Sequence, residues 1–250
     1  MLNLLLSGAS GHIGKKIAAL CEKSEDFKVV CGVDRFNAEC KFPVFERFDD
    51  VNIIPDVIVD FSNPSLLGDI IKFAKANKIP CILATTGYSK EQIELIKETS
   101  KEIPVFFTAN MSLGINLLSS LIKKASAVLG DDFDVEIIEK HHNQKLDAPS
   151  GTALMLADAV NSVNEGKYSY EYDRHSKRQK RPKNEIGIHS VRGGTIVGEH
   201  EVVFAGNDEV ISLSHTAFSK EVFAMGALRA AKFIAGKPAG LYDMSDVLSL

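Results

Sequence analysis

The first 110 residues alternate short, nearly unbroken apolar runs with longer stretches in which apolar side chains recur every three or four positions. The runs Leu2–Ser7, 28–33, 57–61, 80–84 and 105–108 read as strands. Strands apolar on both sides are those that a parallel sheet buries on both faces. The intervening segment 15–23, and those opening at Asn63-Pro64 and at Ser89, read as helices. Asn63 is a cap residue, and Pro64 suits a first helical position because its missing N–H would have no partner there. Ser89 and Gln92 have the spacing of a capping box.

The pattern changes after Met111. Leu113–Leu129 reads as a long helix, 134–139 as a strand, and 153–163 as another helix. From Ile186 the chain alternates apolar and polar in the antiparallel manner. Runs 199–205 and 209–217, joined at Gly206-Asn207-Asp208, form a hairpin signal. The segment 219–235 returns to a helical period and is expected to pack back on the first domain. The expected fold class is therefore α/β: a Rossmann-like parallel-sheet dinucleotide domain, residues 1–111 plus 217–250, with an inserted α+β mixed-sheet domain, residues 112–216.

Bulk properties narrow the function. A chain of 250 residues holds one or two domains. A net charge of −4 argues against a nucleic-acid partner, so the basic run 177–183 reads as a solvated loop. No apolar stretch approaches the roughly 20 residues of a membrane span, and the start of the chain lacks the charged head of an export signal. Cys21, Cys31, Cys40 and Cys81 show no CxxC pairing. That predicts reduced thiols in a cytoplasmic protein, with neither a disulfide frame nor a metal site.

Two constellations carry chemistry. Gly8-Ala9-Ser10-Gly11-His12-Ile13-Gly14 follows a strand and opens a helix, with Ser10 in the place of the usual middle glycine. Such a loop lets backbone approach a pyrophosphate whose charge rests on the helix N-terminus. Asp34, 20 residues beyond Gly14 at the end of the second strand, stands where a carboxylate takes the adenosine ribose, and Arg35 can meet a 2′-phosphate. Thr85, Thr86 and Gly87 end a parallel strand, at the edge where ligands sit or as a plain tight turn. Thr108, Ala109, Asn110 and Met111 end the next strand, read as nicotinamide contact and hinge.

The second constellation is Glu139-Lys140-His141-His142-Asn143-Gln144-Lys145-Leu146-Asp147-Ala148-Pro149-Ser150-Gly151-Thr152. Imidazole titrates near neutrality and can donate a proton; Lys145 offers a mobile positive charge. The helix start at Ser150-Gly151-Thr152 makes an anion pocket. His141 and Lys145 are thus candidate proton donors, and His142, Lys145, Gly151 and Thr152 candidate ligands for a small polycarboxylate. Asp147 is assigned a turn role, Arg192-Gly193-Gly194-Thr195 a turn near the site, and Glu199-His200 a structural role on a strand.

These residues resemble the 4-hydroxy-tetrahydrodipicolinate reductase (dihydrodipicolinate reductase) family nearly end to end. The resemblance also takes in Ala84-Thr85-Thr86-Gly87, Ala109-Asn110-Met111-Ser112, Ser190-Val191-Arg192-Gly193-Gly194-Thr195-Ile196-Val197-Gly198-Glu199-His200 and Tyr242-Asp243-Met244-Ser245-Asp246-Val247. The resemblance implies hydride transfer from NADH or NADPH to a cyclic imine dicarboxylate in lysine and diaminopimelate biosynthesis. It implies a homotetramer built through the second domain. It assigns proton donation to His141, with Lys145 as second donor and carboxylate ligand, and substrate holding to His142, Gly151 and Thr152. Gly8, Ala9, Ser10, Gly11, His12, Ile13, Asp34, Arg35, Thr85, Thr86, Gly87, Thr108, Ala109, Asn110 and Met111 would line the cofactor. His12 departs from the family, where Arg or Lys is common, which weakens a phosphate contact. Two alternatives stay open: a dehydrogenase for another amino-acid intermediate, and a non-catalytic dinucleotide sensor.

Overall fold

The computed structural model describes residues 1–36 and 40–249. The chain divides into two units, Met1–Leu113 with Glu221–Leu250, and Gly114–Lys220. The first unit runs β1 (Leu2–Ser7), α1 (His12–Cys21), β2 (Phe27–Val33), β3 (Val44–Phe45), β4 (Val57–Asp60), α2 (Leu67–Asn77), β5 (Cys81–Leu83), α3 (Lys90–Ser100) and β6 (Pro104–Phe107). The second holds α4 (Leu113–Leu129), β7 (Asp134–His141), α5 (Gly151–Ser162), β8 (Ser169–Glu171), β9 (Glu185–Arg192), β10 (Gly198–Ala205) and β11 (Val210–Ala217). The chain then returns to the first unit as α6 (Glu221–Ile234), β12 (Gly240–Tyr242) and α7 (Met244–Leu248).

In the first unit seven strands pair in the order β12-β6-β5-β4-β1-β2-β3, every pair parallel. Period-2 alternation sorts its side chains to the two faces. Leu4, Leu6, Val57 and Val59 pack with Ile17 of α1 and Ala227 and Ala231 of α6. Leu5, Ile58 and Cys81 pack with Ile70 and Ala74 of α2 and Ile96 of α3. Both faces are thus covered, as the continuous apolar runs predict, and α6 does pack on the first sheet. The caps also form as predicted: Asn63 accepts from Ser65 N, and both bonds of the Ser89–Gln92 box are present.

The second unit is a five-stranded sheet, β11-β10-β7-β9-β8, with α4 and α5 on one face. Ile115, Ile122, Leu156 and Val160 close over Val135, Ile137, Ile186, Val202 and Phe204. The β10–β11 hairpin forms as predicted. The alternation from Ile186 does not make an antiparallel strand, however. β9 runs parallel to β7 and to β8, so the sheet is mixed. The basic run 177–183 is a loop, exposed as expected except at Arg181 and Pro182. Arg181 bonds Glu136, Asp134 and the carbonyls of Val135 and Glu185, clasping the segment to the sheet.

Among the described residues, no helix is long and apolar enough to cross a membrane, and no cluster of His, Cys, Asp and Glu is arranged to hold a metal. All four cysteines are free.

Candidate active site

The carboxyl ends of β6, β5, β4, β1 and β2 lie along one edge of the parallel sheet, which is where open α/β sheets receive ligands. A cavity of about 550 Å³ opens there, lined by Gly8, Ser10, Gly11, Lys15, Asp34, Arg35, Phe36, Phe61 and Ser62 among others. Its size suits a small-molecule site. Helix α1 begins at His12, three residues before the sequence pattern suggests, so Gly14 is a helical residue. Gly11 caps that helix without a side-chain bond, leaving the first amides of α1 to an external acceptor. Gly8 has φ +80°, and a Cβ there would stand 2.6 Å from Phe61 O. Asp34 accepts from Ser10 N at 2.8 Å and Phe36 N at 3.1 Å, tying the loop after β1 to the end of β2. A carboxylate has lone pairs to spare for two hydroxyls beyond those bonds. Uncapped amides, glycine where backbone crowds, and an anchored acid fit a dinucleotide.

Other sequence-selected residues stand outside this cavity. Ala9 and Met111 are buried in the core, and Thr85 is 7% exposed. Thr85 Oγ1 donates to Asp60 Oδ2 at 2.7 Å and accepts from Ser62 N. Those three side chains therefore point inward, and any ligand contact falls to their backbone. His12, Thr86, Gly87 and Ala109 are exposed; Ile13, Thr108 and Asn110 are half-buried. Lys15, which lines the cavity one turn after Gly11, escaped sequence reasoning, although the i+4 spacing on α1 was its signal.

In the second unit β7 extends to His141, two residues further than the sequence pattern indicates. His141 Nδ1 lies 2.6 Å from Glu139 Oε2. Residues i and i+2 of a strand share a face, so the pairing follows from β7 itself. Arg192 at the end of β9 forks onto both Glu139 oxygens at 2.8 and 2.7 Å, and Ser150 N donates to Oε1 at 3.1 Å. Burial alone would push the Glu139 carboxyl up, but the bonds from Arg192, His141, Ser190 and Ser150 bring it down to about 2. Burial lowers the His141 imidazole, and the Glu139 carboxylate opposes that shift.

Ser150 caps α5 by accepting from Ala153 N, and its Oγ also meets His200 Nε2 at 3.1 Å. The His200 ring stands edge-on to His141 with centroids 5.1 Å apart. Burial, then repulsion from His141, pushes His200 down to about 4. Gly151 is exposed at the helix mouth, where a Cβ would meet nothing within 4 Å. Lys145 Nζ lies 2.8 Å from Asp147 Oδ1, and His142 is half-buried beside them in sequence. His141, Lys145 and the α5 mouth thus occupy one segment, within reach of an anion. Ser150 joins them as the cap of that helix, and Glu139, Arg192 and His200 join them although sequence reasoning gave these three no role in the chemistry. His200, read there as a structural strand residue, packs on the candidate acid itself.

Comparison with known proteins matches both halves of the chain to one family. Residues 2–111 match the family described as dihydrodipicolinate reductase, N-terminus, and residues 114–248 the family described as dihydrodipicolinate reductase, C-terminus. The chain is 52% identical over 248 residues to a 4-hydroxy-tetrahydrodipicolinate reductase of Caldanaerobacter subterraneus subsp. tengcongensis, covering 99% of this chain and 98% of the relative. It is 50% identical over 249 residues to one from Clostridium novyi, with 99% and 98% covered. Among solved structures it resembles a dipicolinate-bound dihydrodipicolinate reductase from Paenisporosarcina sp. TG-14, with TM-score 0.80, 25% identity and 97% of each chain covered. An aspartate dehydrogenase from Thermotoga maritima, at TM-score 0.53 and 16% identity over 95% of this chain and 98% of that one, shares the fold alone.

Proposed function

We propose that this chain, which belongs to the dihydrodipicolinate reductase family, is a 4-hydroxy-tetrahydrodipicolinate reductase of lysine and diaminopimelate biosynthesis. It reduces a dihydrodipicolinate-type cyclic imine dicarboxylate to tetrahydrodipicolinate with NADH or NADPH. The observation that carries this reading is the joining of His141, Lys145 and the open mouth of α5 in a single segment of the second unit. When bound in the first unit, the reduced nicotinamide supplies the hydride.

The rest of the chemistry belongs to the chain. Gly8, Ser10 and Gly11 bring backbone to the pyrophosphate. Asp34 takes the adenosine ribose hydroxyls, which favours NADH, and Arg35 beside it leaves room for the 2′-phosphate of NADPH. Ala9, His12 and Ile13 complete the loop, while Thr85, Thr86 and Gly87 with Thr108, Ala109, Asn110 and Met111 border the nicotinamide end. Lys145 and the amides at Gly151 and Thr152 neutralise the substrate carboxylates, helped by His142. His141 delivers the proton that balances the incoming hydride, with Lys145 as second donor. The imidazole, lowered by burial before substrate arrives, is driven back toward its charged form by the carboxylates that bind beside it. Binding thus loads the acid.

We assign the second unit to substrate binding and to assembly of a homotetramer, in a cytoplasmic enzyme. The test is loss of NADH or NADPH absorbance with freshly generated substrate. Decay dependent on enzyme with either cofactor supports the reading. NADH binding by fluorescence without any decay would make the chain a sensor and refute it.

A further inference from the structure

Glu139 is fully buried, at 0% exposure, and its two oxygens serve three different elements. Oε2 faces the His141 ring on β7, Oε1 accepts the amide that precedes α5, and both take the guanidinium of Arg192 on β9. Arg192 is itself fixed by the carbonyls of Val191 at 2.8 Å and Asp147 at 2.6 Å. An ion pair serving only to hold the sheet together would need neither the ring nor the helix amide.

The geometry settles which ring atom carries which proton. Glu139, held at about 2, is an anion at neutral pH and can only accept. Nδ1 of His141 therefore keeps a proton in both states of the ring, and the exchangeable proton is on Nε2. That side of the ring faces Gly198, where a Cβ would come within 3.1 Å of Nε2. The glycine leaves it unfilled.

We propose that Glu139 is the positioning residue of the proposed reduction. It fixes His141 in the form that donates from Nε2 and, through Ser150 N, sets that ring against the anion-binding mouth of α5. This rests on His141 being the acid. Arg192 holds the carboxylate in place, and His200 keeps the ring upright through its edge-on contact and its bond to Ser150 Oγ. The charged or titratable groups around His141 are Glu139 on its own strand, Arg192 on β9, His200 on β10 and Lys145 with Asp147 in the loop; His215 on β11 acts on His200. Among the described residues, only Glu139 favours the imidazolium at hydrogen-bond range.

The experiment is the pH profile of kcat/KM for Glu139→Gln, Glu139→Asp and Arg192→Lys, with Glu139→Gln repeated in a His141→Ala background. NADH affinity by fluorescence and the thermal midpoint are measured alongside. An acid works while protonated, so losing the carboxylate must move the alkaline limb to lower pH. Glu139→Gln is expected to shift it by about one unit and to cut kcat/KM about 10²-fold. Glu139→Asp recovers part of both, and NADH affinity is unchanged. In the His141→Ala background the same change costs less than about threefold, because the residue acts through the ring. A Glu139→Gln enzyme with its limb unmoved, or with its full penalty retained in the His141→Ala background, overturns the proposal and leaves the assigned acid standing. If Glu139→Gln does not fold, Arg192→Lys decides: it keeps the charge, loses the fork, and must show a smaller shift of the same sign, and no shift overturns the proposal. Wild-type turnover in His141→Ala alone would bring down the acid and this inference together.

Discussion

Replacing Gly14 by alanine sets two effects of one methyl group against each other. In an open helix the change is favourable, since alanine exceeds glycine in helix propensity by about 1 kcal/mol. Gly68, exposed in α2 with nothing within 4 Å of a built Cβ, is the control. Gly68→Ala should gain about 0.5–1 kcal/mol, raising the thermal midpoint by roughly 1–4 °C for a chain of this size. At Gly14 the same Cβ would stand 2.3 Å from Gly8 O and 2.8 Å from Ala9 O. Both obstacles are backbone and cannot rotate aside, so the overpacking cost falls at the upper end, about 3 kcal/mol. The net is a loss of about 2 kcal/mol and a midpoint lower by roughly 4–8 °C. The methyl pushes α1 off the loop whose amides are proposed to hold the pyrophosphate, so NADH affinity should fall at least about tenfold, or 1.4 kcal/mol. Circular-dichroism melts and NADH fluorescence titration read both effects. A Gly14→Ala protein that melts at or above the wild type, or binds NADH equally well, refutes the reasoning.

Other predictions follow from the same geometry. Lys145→Ala should raise the KM for substrate about tenfold or more by removing a carboxylate partner, and an unchanged KM would remove Lys145 from the site. Arg35→Ala should weaken NADPH about fivefold or more while leaving NADH nearly as before, and equal effects on both would refute its 2′-phosphate role. Thr85→Val withdraws one donor from the buried Asp60 carboxyl and should cost about 1–3 kcal/mol, read as a lowered melting midpoint. His200 is held neutral in the fold at a value of about 4 against 6.5 when unfolded, so the unfolded chain takes up its proton first as pH falls. That share of stability is complete above pH 6.5 and lost as pH drops from there to about 4. His200→Phe should flatten the melting midpoint across that window, and an unaltered slope would contradict the assignment.

The parallel sheet was legible because its strands are buried on both faces, and unbroken apolar runs such as Leu4 to Leu6 have few other uses. Caps were legible at Asn63 and Ser89 because their bonds are local. The start of α1 was misread because a glycine marks either a turn or a close approach. Gly14 is the second kind, and the difference lies in Gly8 O, six residues away. The direction of β9 was misread because alternation says which side chains face inward but nothing about which neighbour a strand pairs with. The histidines and Lys145 announced themselves by crowding. Their supports did not: Arg192 reaches Glu139 across 53 residues, through a register that sets His141 beside Arg192. Thr85 was chosen for its place at the sheet edge, which the fold confirms, but the buried Asp60 turns its hydroxyl inward.

The most direct test of the account is single-turnover reduction by His141→Ala, followed by loss of NADH absorbance, with NADH affinity measured on the same preparation. Turnover is expected to fall by about 10² or more, with cofactor affinity unchanged. Turnover near that of the wild type would show that the proton comes from elsewhere, and the proposed chemistry of the second unit would fail with it.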